Sequence, residues 1–317
     1  MARYLVTGGC GFIGSHLIER LLAAGHEVRV LDDLSTGKRE NLPDGVPVIV
    51  GDVADAEAVR AAMAGEDGEG VDGCFHLAAV ASVDRSREAW LETHHANLSG
   101  TIAVFDAARR AARRANPAGP VPVIYASSAA VYGDNPDMPL TEDAATRPLS
   151  AYGADKLGCE LHARVADGVH GVPTAGFRFF NVYGPRQDPK SPYSGVISIF
   201  AGRIARGEPI TVNGDGEQVR DFIFVKDLVR YLTAAMGHPQ PGAPIYNVCT
   251  GRPTSVNRLA EVLADLSGRP LDRRYGPARP GDIRTSIGDP TRLVAAFGMS
   301  CDTPLEDGLR QTLAWLG

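Results

Sequence analysis

The stretch Arg3-Tyr-Leu-Val-Thr-Gly-Gly-Cys-Gly-Phe-Ile-Gly14 decides the fold of this chain of 317 residues. Its first five residues form a short apolar run typical of a strand, and spaced glycines follow directly. Glycines in this position allow a tight turn and let the backbone approach a pyrophosphate, whose charge then lies at the N-terminus of the next helix. The stretch therefore predicts a βαβ unit that binds a dinucleotide. Its candidate contacts are Gly8, Gly11, Phe12, Ile13 and Gly14.

Outward from this stretch, the first 180 residues alternate short apolar strands with helical segments, which indicates parallel βαβ units. The predicted strands are Arg3–Thr7, Glu27–Leu31, Val48–Val50, Cys74–Leu77, Val121–Tyr125 and Thr174–Phe179. The predicted helices are 12–24, 54–64, 97–114 and 152–170, followed after Asn181 by 194–206, 255–266 and 304–316. We therefore predict an α/β fold. Residues 1–180 form a Rossmann-type doubly wound parallel sheet to which some later segments return, and residues 181–317 form a smaller C-terminal α/β substrate lobe.

Composition excludes several classes of protein. The net charge of −6 argues against a nucleic-acid binder, and no apolar stretch of about 18 residues predicts a membrane span. Five cysteines without CxxC spacing predict neither disulfides nor a zinc site, and His94-His95 has no completing ligands at useful spacing. The spacing of these residues therefore leads us to expect no bound metal. No signal peptide precedes the first strand, so we expect a cytoplasmic protein.

A carboxylate at the end of the second predicted strand indicates which dinucleotide binds. Asp32 lies 18 residues after Gly14, where a carboxylate accepts hydrogen bonds from an adenosine ribose. It would repel a 2′-phosphate, and Asp33 follows it without an adjacent arginine, so the sequence favours NAD over NADP. The structural alternative is that Asp32 is only a turn residue. Further candidate cofactor contacts follow the third and fourth strands: Asp52, Val53, Leu77, Ala78 and Ala79.

Tyr152 and Lys156 are the strongest catalytic signal. Four residues is just over one helical turn, so both side chains project from the same helix face. An ammonium beside a phenol stabilises the phenolate, which allows a tyrosine to act as a base near neutral pH. With nine tyrosines and four lysines, only about 0.1 such pairs are expected by chance. The alternative is a surface tyrosine beside a solvated lysine.

Together these motifs resemble the extended short-chain dehydrogenase/reductase superfamily, in its sugar-nucleotide epimerase/dehydratase branch. The resemblance runs nearly end to end and is strongest to the UDP-galactose (UDP-glucose) and UDP-N-acetylglucosamine 4-epimerases. It implies an NAD-dependent isomerase that acts on a UDP-sugar. Its markers are Thr7–Gly14, His76-Leu-Ala-Ala79, Tyr125-Ala-Ser-Ser-Ala-Ala-Val-Tyr-Gly133, Tyr152–Lys156, Arg178-Phe-Phe-Asn-Val-Tyr-Gly-Pro185 and Arg220-Asp221.

The resemblance assigns roles to individual residues. It implies that Tyr152 removes the proton of the sugar 4-hydroxyl, that Lys156 binds the nicotinamide ribose, and that Ser128 binds the 4-oxygen. Asn97 would steady the backbone of the active site and the cofactor. The implied UDP-sugar contacts are Ala81, Ser82, Ser128, Tyr152, Asn181, Gln187, Thr211, Asn213, Arg220, Arg279, Asp282 and Ser286.

The resemblance also implies a homodimer in which the helices predicted near 97–114 and 152–170 pair across the interface. Alanines allow close approach between helices. We therefore expect the partner to contact an alanine-rich face formed by Ala103, Ala107, Ala108 and Ala111.

The two residues after Ser128 indicate the reaction type. Dehydratases and decarboxylases of this branch usually carry acidic or acid/base residues there, because the loss of water or CO2 needs an additional proton transfer. Ala129 and Ala130 cannot transfer a proton, so simple 4-epimerisation is favoured. A dehydratase or reductase of the same fold and a non-catalytic dinucleotide sensor are the alternatives.

The sugar is less sharply specified. Ser286 aligns with a position that carries a bulky tyrosine in epimerases restricted to glucose and galactose, so a small residue leaves volume for an N-acetyl group. Asn181, Gln187 and Ala81-Ser82 also resemble the N-acetylhexosamine epimerases. We expect UDP-glucose and UDP-galactose as substrates, with UDP-N-acetyl sugars as further ones. Arg186 leaves UDP-glucuronate as another alternative, because an arginine can meet a uronate carboxylate.

Overall fold

The computed structural model describes residues 1–65, 68–111, 113–114, 116, 119–189, 195–279 and 282–316. The chain divides into two compact units. Unit 1 comprises Met1–Val131, Ser150–Arg178 and Val229–Tyr246, and unit 2 comprises Tyr132–Leu149, Phe179–Leu228 and Asn247–Gly317. The domain border predicted from the sequence at residue 180 places residues 132–149 in the first domain. In the structure these residues belong to unit 2.

The strands of the described residues are β1 (Arg3–Thr7), β2 (Glu27–Asp32), β3 (Val48–Val50), β4 (Gly73–His76), β5 (Val123–Ser128), β6 (Thr174–Phe179), β7 (Asn181–Tyr183), β8 (Ile210–Asn213), β9 (Val219–Phe224), β10 (Ile245–Val248), β11 (Pro253–Ser255), β12 (Arg273–Gly276) and β13 (Thr285–Ser286). The main sheet has the order β10-β6-β5-β4-β1-β2-β3. Strand β1 pairs in parallel with both β2 and β4, so the chain winds outward from it in two directions. The predicted Rossmann-type sheet is confirmed.

The α-helices are α1 (Phe12–Ala23), α2 (Ala56–Ala64), α3 (Val83–Glu88), α4 (Trp90–His94), α5 (Gly100–Arg110), α6 (Ala151–His170), α7 (Val196–Ala205), α8 (Val225–Gly237), α9 (Val256–Ser267), α10 (Thr291–Phe297) and α11 (Leu305–Leu316). A π-helical turn, His95–Ser99, joins α4 to α5. Within the described residues, none of these helices has the length and apolar character needed to cross a lipid bilayer.

Several elements differ from the sequence prediction, among them the short helices α3, α4 and α10, which were not predicted. The helix predicted over 97–114 begins as the π-helical turn and ends at Arg110, because Ala111 has an extended backbone with φ −73° and ψ 138°. Residue 112 of that prediction lies outside the described residues, as does residue 194 of the helix predicted over 194–206. Helix α8 and strand β10 were not predicted, although β10 is the edge strand of the main sheet.

The core of unit 1 lies where α5 and α6 pack against the sheet. It includes Val104 and Phe105 from α5 and Cys159 and Ala163 from α6. It also buries two alanines of the face expected to meet a partner, since Ala107 is 2% exposed and Ala108 is 0% exposed. Ala107 and Ala108 therefore pack inside the chain's own core and are not available to a partner, while the homodimer itself stays a prediction. The exposed apolar residues of α5 and α6 are Ile102, Leu161, Val165 and Val169.

Unit 2 is built around β9, which pairs with β7, β11 and β13, and a separate pair of strands is formed by β8 and β12. The carboxylate of Asp221 on β9 is fully buried and accepts hydrogen bonds from Thr250 N and Gly251 N, both at 2.8 Å. Burial raises the pKa of Asp221, and these hydrogen bonds act in the opposite direction. The bonds fix the loop after β10 against the strand that carries Arg220.

Candidate active site

The glycine loop connects β1 to α1 and lies against the loop that follows β4. Gly8 has φ +69°, and a Cβ added there would be 2.6 Å from the backbone nitrogen of Ala78. A Cβ on Gly14 would be 2.3 Å from the Gly8 carbonyl oxygen. Both positions therefore require glycine because the backbones approach too closely for any side chain.

The N-terminus of α1 is open to an anion. Gly11 is its N-cap residue and provides no side-chain hydrogen bond, so the first-turn backbone N–H groups have no side-chain cap. Phe12 and Ile13 form this first turn and are half-buried. An uncapped helix N-terminus behind a glycine loop is the arrangement that binds a pyrophosphate.

Asp32 lies beside this loop at the end of β2. It is 6% exposed, and its Oδ2 accepts a hydrogen bond from Cys10 N while its Oδ1 accepts one from Leu34 N, both at 2.9 Å. Burial raises the pKa of Asp32, whereas the two backbone hydrogen bonds lower it. Asp33 is exposed, and its carboxylate accepts hydrogen bonds from Ser35. The structure therefore brings Asp32, and not Asp33, against the glycine loop.

The other predicted cofactor residues follow β3 and β4. Asp52 is exposed, and its Oδ1 accepts a hydrogen bond of 2.8 Å from Ala54 N just before α2. Val53 is buried in the core. Ala78 N donates to Thr7 Oγ1 at 3.3 Å, which ties the segment that includes Leu77 and Ala79 to the end of β1.

His76 connects the ends of β1 and β4 to α5 through buried hydrogen bonds. Thr101 Oγ1 donates to the Asn97 carbonyl oxygen at 2.6 Å, so it accepts from His76 Nε2 at 2.9 Å. With the proton on Nε2, the Nδ1 atom accepts from Thr7 Oγ1 at 2.8 Å. Burial, aided by the charge of Lys156, lowers the pKa of His76 to about 3. The hydrogen bonds therefore assign a neutral imidazole with its proton on Nε2.

Asn97 lies in the π-helical turn and is fully buried. Its Oδ1 accepts a hydrogen bond from Val80 N at 2.8 Å and its Nδ2 donates to Val80 O at 3.2 Å. The side chain therefore holds the backbone just after Ala79. Single π-helical turns occur frequently at functional sites, and this one contains Asn97.

Helix α6 presents Tyr152 and Lys156 on one face, one turn apart. Its first turn is fixed by the N-cap Ser150, whose Oγ accepts from Gly153 N at 3.1 Å. Lys156 is 2% exposed, and its Nζ donates to the Ala126 carbonyl oxygen on β5 at 2.9 Å. The same Nζ lies 5.9 Å from the centre of the Tyr152 ring. The alternative of a solvated lysine does not fit this burial.

Ser128 is the last residue of β5, two residues beyond the carbonyl that Lys156 binds. It is half-buried, and its Oγ accepts a hydrogen bond from Ala130 N at 3.1 Å. β5 extends three residues further than predicted, to 128 instead of 125. The extension makes Ser128 the last residue of the strand instead of a loop residue.

Ala81 and Ser82 precede α3. Ser82 is buried and is the N-cap of this helix, with its Oγ accepting from Arg85 N at 3.1 Å. Ala81 is exposed. The structure gives Ser82 a capping role, and its proposed contact with the sugar stays a prediction.

In unit 2, four of the predicted substrate residues are brought together around β9. Arg220 Nη2 donates to Asp282 Oδ1 at 2.6 Å, and Ser286 is the register partner of Arg220. Burial lowers the pKa of Arg220 and the neighbouring Asp282 raises it. Asp282 N donates to the Arg279 carbonyl oxygen at 3.2 Å, so these two residues lie close together.

The remaining predicted substrate residues lie on β7, β8 and the segment after β7. Asn181 Nδ2 donates to the Asp221 carbonyl oxygen at 3.3 Å, and Gln187 Nε2 donates to Val182 O at the same distance. Thr211 and Asn213 lie on β8, which pairs with β12 rather than with β9. Among the described residues, no group of three or more His, Cys, Asp or Glu side chains is arranged to hold a metal ion.

Several contacts that support this site were not predicted from the sequence. Thr7, Thr101 and His76 form one chain of hydrogen bonds, and Glu160 binds both Ser127 and Arg178. Thr7, His76, Ser127 and Arg178 lie in the quoted motifs, so their positions were visible in the sequence. The pairings were not visible, because they join residues that are distant along the chain.

Known proteins that are similar to this chain over nearly its whole length include two UDP-glucose 4-epimerases and a UDP-N-acetylglucosamine 4-epimerase. A sequence model described as the NAD dependent epimerase/dehydratase family matches residues 4–249. The UDP-glucose 4-epimerase of Mycolicibacterium smegmatis is 37% identical over 98% of this chain and 97% of its own. The structure of the Thermus thermophilus UDP-glucose 4-epimerase complex with NAD has a TM-score of 0.89 and 36% identity, covering 99% of this chain and 98% of that one. A UDP-N-acetylglucosamine 4-epimerase from Methanobrevibacter ruminantium, in complex with UDP-N-acetylmuramic acid, has a TM-score of 0.90 and 36% identity, covering 99% and 97%.

Proposed function

Because this chain belongs to the NAD-dependent epimerase/dehydratase family, we propose that it is an NAD-dependent isomerase that inverts C4 of UDP-hexoses through a transient 4-keto sugar. The substrates are UDP-glucose and UDP-galactose, and the site also admits UDP-N-acetylglucosamine and UDP-N-acetylgalactosamine. One observation carries the proposal: Tyr152 and the buried Lys156 share one face of α6, and Lys156 is bonded to the strand that ends at Ser128.

The residues of unit 1 fit NAD. The glycine loop packs so closely on the loop after β4 that no side chain fits at Gly8 or Gly14, and the N-terminus of α1 has no side-chain cap, so its first-turn N–H groups would bind the pyrophosphate. Asp32 would accept hydrogen bonds from the adenosine ribose, since each carboxylate oxygen has a second lone pair beyond those already used. The chemistry that NAD would supply when bound is reversible uptake of the hydride from C4 of the sugar.

The chain's own residues handle the proton of the sugar 4-hydroxyl. Tyr152 takes this proton as the hydride leaves C4 and gives it back when the hydride returns. Lys156 keeps a positive charge beside Tyr152 and would also bind the nicotinamide ribose. Ser128 donates a hydrogen bond to the 4-oxygen while that oxygen is a carbonyl.

The two residues that follow Ser128 favour simple epimerisation over elimination. Ala129 and Ala130 begin the short 3-10 helix Ala129–Tyr132 after β5, and neither methyl side chain can transfer a proton. A dehydratase needs an acid and a base for the loss of water in addition to the proton transfer at the 4-oxygen. Simple epimerisation needs only the latter.

Unit 2 supplies the residues proposed for the nucleotide. Arg220 would bind the diphosphate. When no ligand is bound, the carboxylate of Asp282 provides a counter-charge for the half-buried guanidinium of Arg220. Asp282 would bind the uridine ribose, while Arg279 and Asn181 would contact the diphosphate. The strand of Thr211 and Asn213 would face uracil.

A homodimer and a cytoplasmic location complete the proposal. Helices α5 and α6 enclose a surface groove lined in part by Ile102, Phe105 and Val165. With Leu161 and Val169, which are 54% and 71% exposed, this makes an apolar surface on one helix pair. The same surface on a second copy is its proposed occupant, as in a helix-pair interface with two-fold symmetry.

The direct test is incubation of the purified protein with UDP-glucose, UDP-N-acetylglucosamine and UDP-glucuronate separately, without added cofactor. We expect UDP-galactose from the first and UDP-N-acetylgalactosamine from the second, resolved by proton NMR of the anomeric signals. Loss of water from any of these substrates would favour the dehydratase alternative. Conversion of UDP-glucuronate alone would show that the enzyme is specific for uronates. No conversion of any of the three would refute the proposed function.

A further inference from the structure

Three buried residues outside the proposed catalytic set join β5, α6 and β6. We call Ser127, Glu160 and Arg178 the Glu160 cluster; none of them is more than 3% exposed. Arg178 Nε and Nη2 donate to the two carboxylate oxygens of Glu160 at 2.8 and 2.7 Å, and Ser127 Oγ donates to Oε1 at 2.6 Å. The paired geometry fixes the plane of the carboxylate, because both guanidinium bonds must be satisfied at once.

The cluster lies one helical turn from the proposed catalytic pair. Lys156 and Glu160 are four residues apart on α6 and therefore share a face. Lys156 binds the carbonyl of Ala126 and Glu160 binds the side chain of Ser127, so α6 is fastened to two consecutive residues of β5. The next residue of β5 is Ser128. Two attachments along the helix, unlike one, fix its rotation as well as its position.

We propose that the Glu160 cluster positions the proposed catalytic groups: its bond to Ser127 sets the rotation of α6 against the end of β5, and thereby the placement of Tyr152 relative to Ser128. The inference rests on the proposed function for the identity of these groups. Arg178 acts through Glu160, since it holds the carboxylate in the orientation that Ser127 needs. All three are buried and bonded to one another, so we assign each of them a positioning role.

Ser127→Ala is the sharpest variant because it removes the bond to β5 and leaves the Glu160–Arg178 pair intact. Glu160→Gln would instead leave a buried guanidinium without its counter-charge and endanger folding. A displacement of about 1 Å between reacting groups costs on the order of 10²-fold in rate. We expect Ser127→Ala to lower kcat about tenfold or more with KM nearly unchanged, and Ser127→Thr, which keeps the hydroxyl, to restore most of it.

Thr174→Val is the matched control. Thr174 is buried on β6, and its Oγ1 donates to the Ala163 carbonyl oxygen on α6 at 3.4 Å, so the variant deletes another buried hydroxyl bond to the same helix. That bond lies further along α6, away from Tyr152, and its loss is expected to leave kcat near the wild-type value. An equal loss of kcat in Thr174→Val and Ser127→Ala would overturn the inference, as would wild-type kcat in Ser127→Ala.

A double-mutant cycle with Ser128→Ala distinguishes a specific effect on the alignment of Ser128 with Tyr152 from a general loss of rigidity in the protein. If Ser127 acts by aligning Ser128 with Tyr152, the Ser127→Ala substitution should lower kcat much less in the Ser128→Ala protein than in the wild type. Full additivity would overturn the inference. Hydrogen exchange read by mass spectrometry provides a measure that needs no turnover: segments 127–130 and 151–156 should exchange faster in Ser127→Ala and not in Thr174→Val. If the wild type converts no UDP-sugar, the proposed function fails, and this exchange result alone decides whether the cluster positions the two segments.

Discussion

Acidification should destabilise this protein through His76. The imidazole is buried and neutral, and its pKa is lowered to about 3 from an ordinary value of 6.5. On acidification the unfolded chain therefore binds the proton first, so stability is lost as the pH falls below about 6.5 and continues to fall toward pH 3. The slope is about 1.4 kcal/mol per pH unit in this window, which makes about 2 kcal/mol between pH 7 and pH 5.

The variant that isolates this effect is His76→Asn, which removes the titrating group and keeps a polar side chain. Urea unfolding followed by circular dichroism at pH 7, 6 and 5 gives the stability of each protein. We expect the variant to be less stable at pH 7 but to lose about 2 kcal/mol less than wild type on going to pH 5. Thr101→Val breaks the same hydrogen-bond chain and retains the imidazole, so it should keep a steep dependence. A His76→Asn variant that loses stability as steeply as wild type would refute the reasoning.

Four further outcomes are expected. Tyr152→Phe should lower kcat by about 10²–10⁴-fold while calorimetry still detects UDP binding; more than about a tenth of wild-type activity would contradict the assignment. The protein as purified should carry NAD, detected by mass spectrometry after denaturation; absence of dinucleotide together with activity that depends on added NADP would overturn the reading of Asp32. Val165→Asp places a charge on the 47% exposed apolar position of α6 and should halve the mass measured by light scattering; a monomeric wild type would remove the dimer. Ser286→Tyr should spare UDP-glucose and reduce kcat/KM for UDP-N-acetylglucosamine by roughly 5–150-fold, since the phenol overpacks the N-acetyl volume; equal loss on both substrates would instead assign residue 286 to the fold.

The features predicted correctly from the sequence are those encoded over short distances. The glycine loop follows its strand within a few residues, and the same-face placement of Tyr152 and Lys156 needs only one turn of helix. Both depend on local backbone geometry, which the order of residues determines directly.

Long-range pairing accounts for what the sequence did not reveal. His76 meets Thr7 across 69 residues, and Arg220 meets Asp282 across 62. Each residue was visible as part of a motif or a resemblance, but a contact between them depends on how the strands are ordered. The burial of Ala107 and Ala108 was missed for the same reason, because an alanine-rich helix fits a close-packed core as well as a partner.

Strand β10 lies far beyond its neighbour β6 in the sequence, and this affects how the sheet forms during synthesis. Strand β6 ends at Phe179, and its outer neighbour in the sheet comes from Ile245–Val248, beyond the whole of α8. During synthesis on the ribosome, the hydrogen-bonding edge of β6 therefore stays open until residue 248 has left the exit tunnel. An open edge of this kind invites pairing with other nascent chains. A fragment cut at residue 180 to isolate the nucleotide-binding half would keep that edge permanently exposed, so a soluble fragment has to include the returning segment.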